Sequence, residues 1–270
     1  MFYDDGFVVR STILEIPGVV HAFSTRNGGI STLPHTKSMN FAPNYGDSDV
    51  VLAQNTRIFA EYLGGFDEKS VLCAHQIHSS HVRLVDRTNC GEGVILPAGE
   101  DCDGFVTESV GVVPLVRTAD CVPIILCAPR DGASPVAAVL HAGWRGTVAD
   151  IVGRAVDMMS SLGVRREDIR AAVGPHVGFC CFEVGEDMRD AVKAARGGDF
   201  AARHIREYGT SLHADLSGMN LELLSAAGVL SHNTDVSEEC TFCLPEKYHS
   251  HRRTHGIRGA MGTAVALSCE

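Results

Sequence analysis

The chain has 270 residues, 45% of them hydrophobic and 21% charged, with a formal net charge of -10 at pH 7. That is enough apolar material for one large core, and the acidity argues against a non-specific nucleic-acid binder. The longest apolar run, VPIILCA at 122–128, is too short to span a bilayer, and the acidic start MFYDDGFVVR lacks the basic and apolar regions of a signal peptide. A cytoplasmic protein that uses neither membrane nor nucleic acid is therefore expected.

In chain order, NTRIFAEYLGG (55–65) reads as a helix, with Asp47, Ser48 or Asp49 available as caps and glycines to end it. SVLCAHQIHSSHVRLVD (70–86) reads as two short strands around a polar turn, and GVVPLVRTADCVPIILCAPR (111–130) as two more. PVAAVLHAGW (135–144) is a buried strand, and TVADIVGRAVDMMSSLG (147–163) a helix with apolar residues at helical spacing. Further helices fit 185–198 and 216–228, and GAMGTAVAL (259–267) closes the chain as a strand. No Pro/Ser/Gly-rich linker or repeat interrupts this order, so a single domain over 1–270 is expected. Strands fall partly in hairpins and partly beside helices, which predicts α+β or layered α/β rather than a plain doubly wound sheet.

The one tryptophan stands in LHAGWRG (140–146), where an apolar strand gives way to a loop bracketed by glycines. Three segments end an apolar strand with a side chain able to bind metal: HQIHSSH (His75, His78, His81), RTADC (Cys121) and VLHAGWRG (His141). If 74–78 is extended, Gln76 and His78 share one face, and His75 and Ile77 the other. One Cys with one or two His from separate strand ends would make a three-ligand site with an open fourth position, the catalytic form of zinc. The same residues also suit a Cys121–His141 nucleophile–base dyad, and Asp120 and Arg145 are compatible with either. Of the ten cysteines, those in apolar surroundings such as Cys73 and Cys127 read as buried thiols. CTFC (Cys240 to Cys243) has zinc-knuckle spacing without a second CxxC, and the adjacent Cys180 and Cys181 would form a strained disulfide. A structural role or chance redox sensitivity is expected for CTFC, and packing for Cys180 and Cys181.

TADCVPIILCAP, AAVLHAGWRGTVADIV and AAVGPHVGFCCFEVG together resemble the YfiH/YlmD-like family, also called the multicopper polyphenol oxidoreductase (laccase) family. The resemblance extends through FSTRNGGIS, MNFAPNYGD, HQIHSSHV, CDGFVTE, DLSGMN and CTFCLPEKYHSHRR, nearly the whole chain. It implies a layered α/β/β/α fold related to the catalytic domain of a bacterial Rho-deamidating toxin. It also implies a metal held by His78, Cys121 and His141, with His75 and His81 outside the ligand set. The metal expected is zinc, with copper the alternative. Arg26 and Asn40 are implied near the pocket, and Gln76, Arg145 and Arg253 are further expected substrate-binding residues. Trp144 would wall the pocket or brace the His141 loop. The tail departs from the family pattern at RRTHGIRG, which puts a role for Arg258 in doubt while Arg252 and Arg253 match.

The activity implied is phosphorolysis of adenosine, inosine, guanosine or methylthioadenosine, with phosphate as the second substrate and adenosine deamination as a second activity. The deaminase signature H-x-E with P-C-x-x-C is absent. Three readings compete. A copper polyphenol oxidase would need many histidines in paired H-x-H motifs, and HSH at 249–251 stands alone. The others are a Cys–His hydrolase or peptidoglycan-precursor editing enzyme using Cys121 and His141, and a non-enzymatic partner protein.

Overall fold

The computed structural model describes residues 1–130 and 132–268. The elements run β1 (Phe2–Asp4), β2 (Val8–Ser11), β3 (Val19–Ser24), α1 (Asp49–Gly64), β4 (Val71–Leu72), β5 (Val82–Leu84), β6 (Gly104–Thr107), β7 (Val113–Thr118), β8 (Val122–Arg130) and β9 (Ala133–Ala142). Then follow α2 (Trp144–Val148), α3 (Ile151–Ser161), β10 (Arg170–Val173), β11 (Glu183–Val184), α4 (Glu186–Arg196), α5 (Gly198–His204) and β12 (Ile205–Tyr208). The last are β13 (Ser211–Ala214), α6 (Leu216–Ala226), β14 (Thr234–Val236), α7 (His251–Thr254) and β15 (Met261–Leu267).

Two six-stranded mixed sheets form the body, in the orders β1-β2-β3-β15-β7-β4 and β14-β10-β8-β9-β6-β5, with a small third sheet β11-β13-β12. The side-chain alternation of the central strands assigns the layers. In β8, Val122, Ile124, Leu126 and Ala128 face the core shared with α3 and α6, while Ile125 and Cys127 face the core between the two large sheets. In β15, Val265 and Leu267 enter that same inter-sheet core, whereas Ala264 and Ala266 pack under α1. The order is helix, sheet, sheet, helices, as expected of a layered α/β fold. Each large side chain so buried contributes about 1.5–3 kcal/mol. Among the described residues no helix is long and apolar enough to cross a membrane.

α1 starts at one of the expected caps: the Ser48 hydroxyl accepts from Val51 N at 3.4 Å. Local chemistry explains where other elements differ from expectation. The helix expected over 147–163 is two helices. Asp150 takes a left-handed conformation (φ 67°), and its carboxylate accepts from Gly153 N at 3.1 Å, capping α3 afresh. The paired strands expected within 70–86 and 111–130 are not hairpins. β4 and β7 pair with one another in the first sheet, while β5 and β8 belong to the second. The stretches 73–81 and 119–121 are therefore crossings from one sheet to the other.

Candidate active site

The three donor segments meet at those crossings. Cys121 ends the β7–β8 crossing, His78 lies on the β4–β5 crossing, and His141 is on β9 just before the chain leaves for α2. Their ligand atoms all lie within 4.8 Å of one another; Cys121 Sγ is 3.8 Å from His78 Nε2. The His78 and His141 rings meet edge to face with centroids 4.8 Å apart.

His78 reaches this place by a different route from the one the alternation argument assumed. The strand ends at Leu72, and His78 itself has a left-handed backbone (φ 60°). Asp103, fully buried, gathers the crossing instead: its carboxylate accepts from Ile77 N, His78 N, Ser79 N and the Ser79 hydroxyl at 2.7–3.3 Å. The same carboxylate accepts from His141 Nδ1 at 2.8 Å, which leaves His141 Nε2 for the shared site. Burial opposes the charge on Asp103, but the His141 imidazole and the Ser79 hydroxyl outweigh it and hold the carboxyl below its usual range. Burial likewise opposes a Cys121 thiolate, yet His141 and then His78 bring the thiol down to about 6. Against the same burial penalty, Cys121 and Asp103 raise His141 to about 9.

The glycines of HAGWRG follow from this packing. A Cβ on Gly143 would sit 2.7 Å from His78 Cδ2 and 3.3 Å from Cys121 Sγ, and one on Gly146 would lie 2.5 Å from Ser79 O. Both are glycine because the histidine crossing lies directly on the turn into α2. Asp120, also left-handed (φ 93°), is held by Thr241 Oγ1, Ser250 Oγ and Arg252 N, which donate to its carboxylate at 2.6–3.0 Å. This grip fixes the turn that carries Cys121.

Above the donors opens a cavity of about 530 Å³. Trp144, Phe182, Val177, Leu216 and Tyr45 give it apolar walls; Arg117, Arg145, Arg252 and Arg258 give it positive charge. Trp144 both lines the cavity and packs on the helical core, with the Arg145 guanidinium stacked 4.3 Å from its ring centroid. Gln76 lines the cavity too, but its amide is spent on Arg117 backbone, donating to O and accepting from N at 2.8 Å each. His75 sits on the wall, exposed, 3.3 Å from the Asp101 carboxylate. His81 points its Nδ1 at Asp101 O instead.

Three expected substrate residues lie elsewhere. Arg26 donates to Lys37 O and Pro245 O, Arg253 to Thr241 O, Phe242 O and Tyr248 O, and neither lines the cavity. Buried Asn40 braces loops: its amide oxygen accepts from Ala42 N and Ala260 N, and its nitrogen donates to Asp47. Loop carbonyls that need donors claim the two arginines, and loop amides with Asp47 claim Asn40. Conversely Arg258, which the departing tail pattern put in doubt, lines the cavity, and its Nε is buried without a hydrogen-bond partner. Sequence reading also missed Asp103 and His251; an acidic residue within CDGFVTE, beside histidine donors, was the available signal for the former.

Residues 20–268 match the family described as Multi-copper polyphenol oxidoreductase laccase, and the chain belongs to it. Among its relatives is the Purine nucleoside phosphorylase YlmD of Geobacillus stearothermophilus, 33% identical over 248 residues covering 90% of this chain and 88% of that one. The Adenosine deaminase RL5 of an unknown prokaryotic organism is 34% identical, with 87% and 88% covered. The crystal structure of Bacillus licheniformis YfiH superposes with a TM-score of 0.89 at 28% identity, over 99% of both chains.

Proposed function

We propose that this chain is a purine nucleoside phosphorylase that uses phosphate to convert adenosine, inosine, guanosine or methylthioadenosine to the free base and a pentose 1-phosphate, with zinc at His78, Cys121 and His141. One observation carries the reading. In a chain of net charge -10, a cavity floored by a Cys/His triad is lined by four arginines and one carboxylate, and that carboxylate, Asp120, is already committed to internal donors. Such a lining is built for an anion beside a flat apolar ligand.

The donor set fits zinc. Two imidazoles and a thiolate are the borderline-soft ligands it prefers, and Zn–S near 2.3 Å with Zn–N near 2.05 Å requires S···N of ~3.6 Å against the 3.8 Å found. When bound, the ion supplies Lewis acidity at the cavity floor through an open fourth position. The chain's own residues do the rest. Trp144 and Phe182 hold the purine between apolar surfaces. Arg258, with its unpaired Nε, and Arg145, which forms no ion pair among the described residues, hold phosphate against the sugar. Phosphate oxygen bonds to the anomeric carbon as the glycosidic bond breaks, and its negative charge offsets the positive charge that builds on the sugar.

Adenosine deamination is the second reading, favoured by the likeness to a relative of that name. The donor clusters among the described residues contain two histidines in all, which supports phosphorolysis or deamination over a multicopper centre. Adenosine incubated with and without phosphate separates the outcomes. Adenine that forms only with phosphate supports the proposal. Inosine formed regardless of phosphate means deamination, and copper-dependent oxidation of phenols with neither product overturns both.

A further inference from the structure

Four other cysteines form a second cluster, which the spacing of CTFC did not reveal because its partners are not a CxxC. Cys180 and Cys181 lie in the turn after β10, where Cys181 N donates to Gly178 O at 3.0 Å. This turn, unlike an extended chain, lets two adjacent side chains point the same way. Cys240 and Cys243 lie in the loop after β14, where Cys243 N and Leu244 N donate to Cys240 O at 3.1 and 3.2 Å.

The four sulfurs all lie within 4.8 Å of one another: Cys181–Cys243 at 3.4 Å, Cys180–Cys181 at 3.5 Å and Cys180–Cys243 at 3.9 Å. A tetrahedron with Zn–S of about 2.3 Å has S···S edges of ~3.8 Å. None of these sulfurs is bonded to another. Ordinary core packing does not explain the cluster either. Cys180 and Cys243 are exposed and Cys181 half-buried, unlike the buried thiols Cys73 and Cys127, and S–H groups are weak partners for one another.

Backbone donors converge on the deepest sulfur. Gly178 N lies 3.2 Å from Cys240 Sγ, and the amides of Phe242 and Cys243 turn toward it as well. The Arg253 guanidinium donates to Thr241 O and Phe242 O, inside the CTFC turn, at 2.6 and 2.8 Å. It thus sets a positive charge against a centre that four thiolates and one divalent ion would leave negative.

We infer that Cys180, Cys181, Cys240 and Cys243 form a second, closed zinc site of four thiolates. With all four positions taken by protein, it has no place for substrate and acts as a clip between two loops. The clip bears on the cavity. Thr241, between the cysteines of CTFC, donates its hydroxyl to Asp120 Oδ1 at 2.7 Å and its backbone N–H to His176 O at 2.9 Å. Phe182, next to Cys181, and Val177 both line the cavity.

Metal content and cobalt spectroscopy of Cys121→Ala protein test this, because that variant keeps all four clip cysteines and loses a donor of the other cluster. The expected result is one tightly held zinc per Cys121→Ala chain, replaceable by Co(II) with the intense sulfur-to-cobalt absorption of a tetrahedral thiolate site. Adding Cys240→Ser should remove both. Protein without substitutions provides a second readout: zinc release by a mercurial reagent should track the loss of these four thiols together with Cys121, and of these four alone in Cys121→Ala protein. Cys121→Ala protein that binds neither zinc nor cobalt, or whose intact mass, taken after denaturation without reductant, shows a disulfide among the four cysteines, would overturn the assignment. Failure of the nucleoside assay would leave these metal readouts untouched.

Discussion

The two donor clusters differ in number, chemistry and surroundings. His78, Cys121 and His141 offer three mixed N/S donors beneath a cavity of about 530 Å³. Cys180, Cys181, Cys240 and Cys243 offer four sulfurs, none of which lines that cavity. Three donors leave a coordination position for a reacting molecule; four close it. The first cluster also has a buried carboxylate, Asp103, that orients the His141 imidazole and organises the loop of His78. Around the second, backbone amides and one arginine hold the turns in shape. The contrast teaches that a site meant to react needs its donors oriented from behind, whereas one meant to hold needs only to be complete.

The sharpest way to break the comparison is to remove a donor from each side. Cys121→Ala or His141→Ala should lower kcat/KM by about 1,000-fold, the several kcal/mol expected of lost Lewis-acid stabilisation, with the fold retained by circular dichroism. Cys243→Ser should lose far less activity and show its main effect as a lower Tm. Equal losses of activity would erase the distinction drawn here.

Asp103→Asn tests the orienting carboxylate. An amide in that place no longer fixes the proton on His141 Nδ1, so metal affinity and activity should fall by about 10–100-fold, read by competitive chelator titration. Arg258→Ala probes the anion half of the cavity: the KM for phosphate should rise about 10-fold, the worth of one lost charge-assisted hydrogen bond, while nucleoside binding changes little. An unchanged phosphate KM would move the anion site to other arginines.

The smallest effect concerns acidity in metal-stripped protein. The Cys121 value is depressed, so the stability it carries is fully present above the ordinary thiol range and is lost as pH falls through about 6. His141 is raised, so its contribution is complete below the ordinary imidazole value and is lost as pH rises through about 9. Between those limits the pair is thiolate and imidazolium. Alkylation of Cys121 should therefore reach half its maximal rate near pH 6; a midpoint near that of a free thiol would remove the ion pair from the account.

Much of this was written locally. The near-continuous apolar runs of 122–128 and 136–142 determined two strands buried on both faces, and Gly65 with Ser48 determined the ends of α1. The segments around His78, Cys121 and His141 marked themselves as a candidate site because donors stood at strand ends, the family resemblance named the three together, and the structure brings the three donors together. Tertiary structure alone decided which neighbours serve them. An arginine in sequence does not show whether its guanidinium meets only loop carbonyls or lines a cavity: Arg26 and Arg253 turn to loop carbonyls away from the cavity, while Arg252 and Arg258 line it. Nor did spacing show that Cys180 and Cys181 meet Cys240 and Cys243 from some 60 positions away, or that Asp103 reaches both His78 and His141. The physical reason is common to all of these. Periodicity and capping act over a few residues, while hydrogen-bond satisfaction and metal geometry act between segments that only the packing of the two sheets brings together.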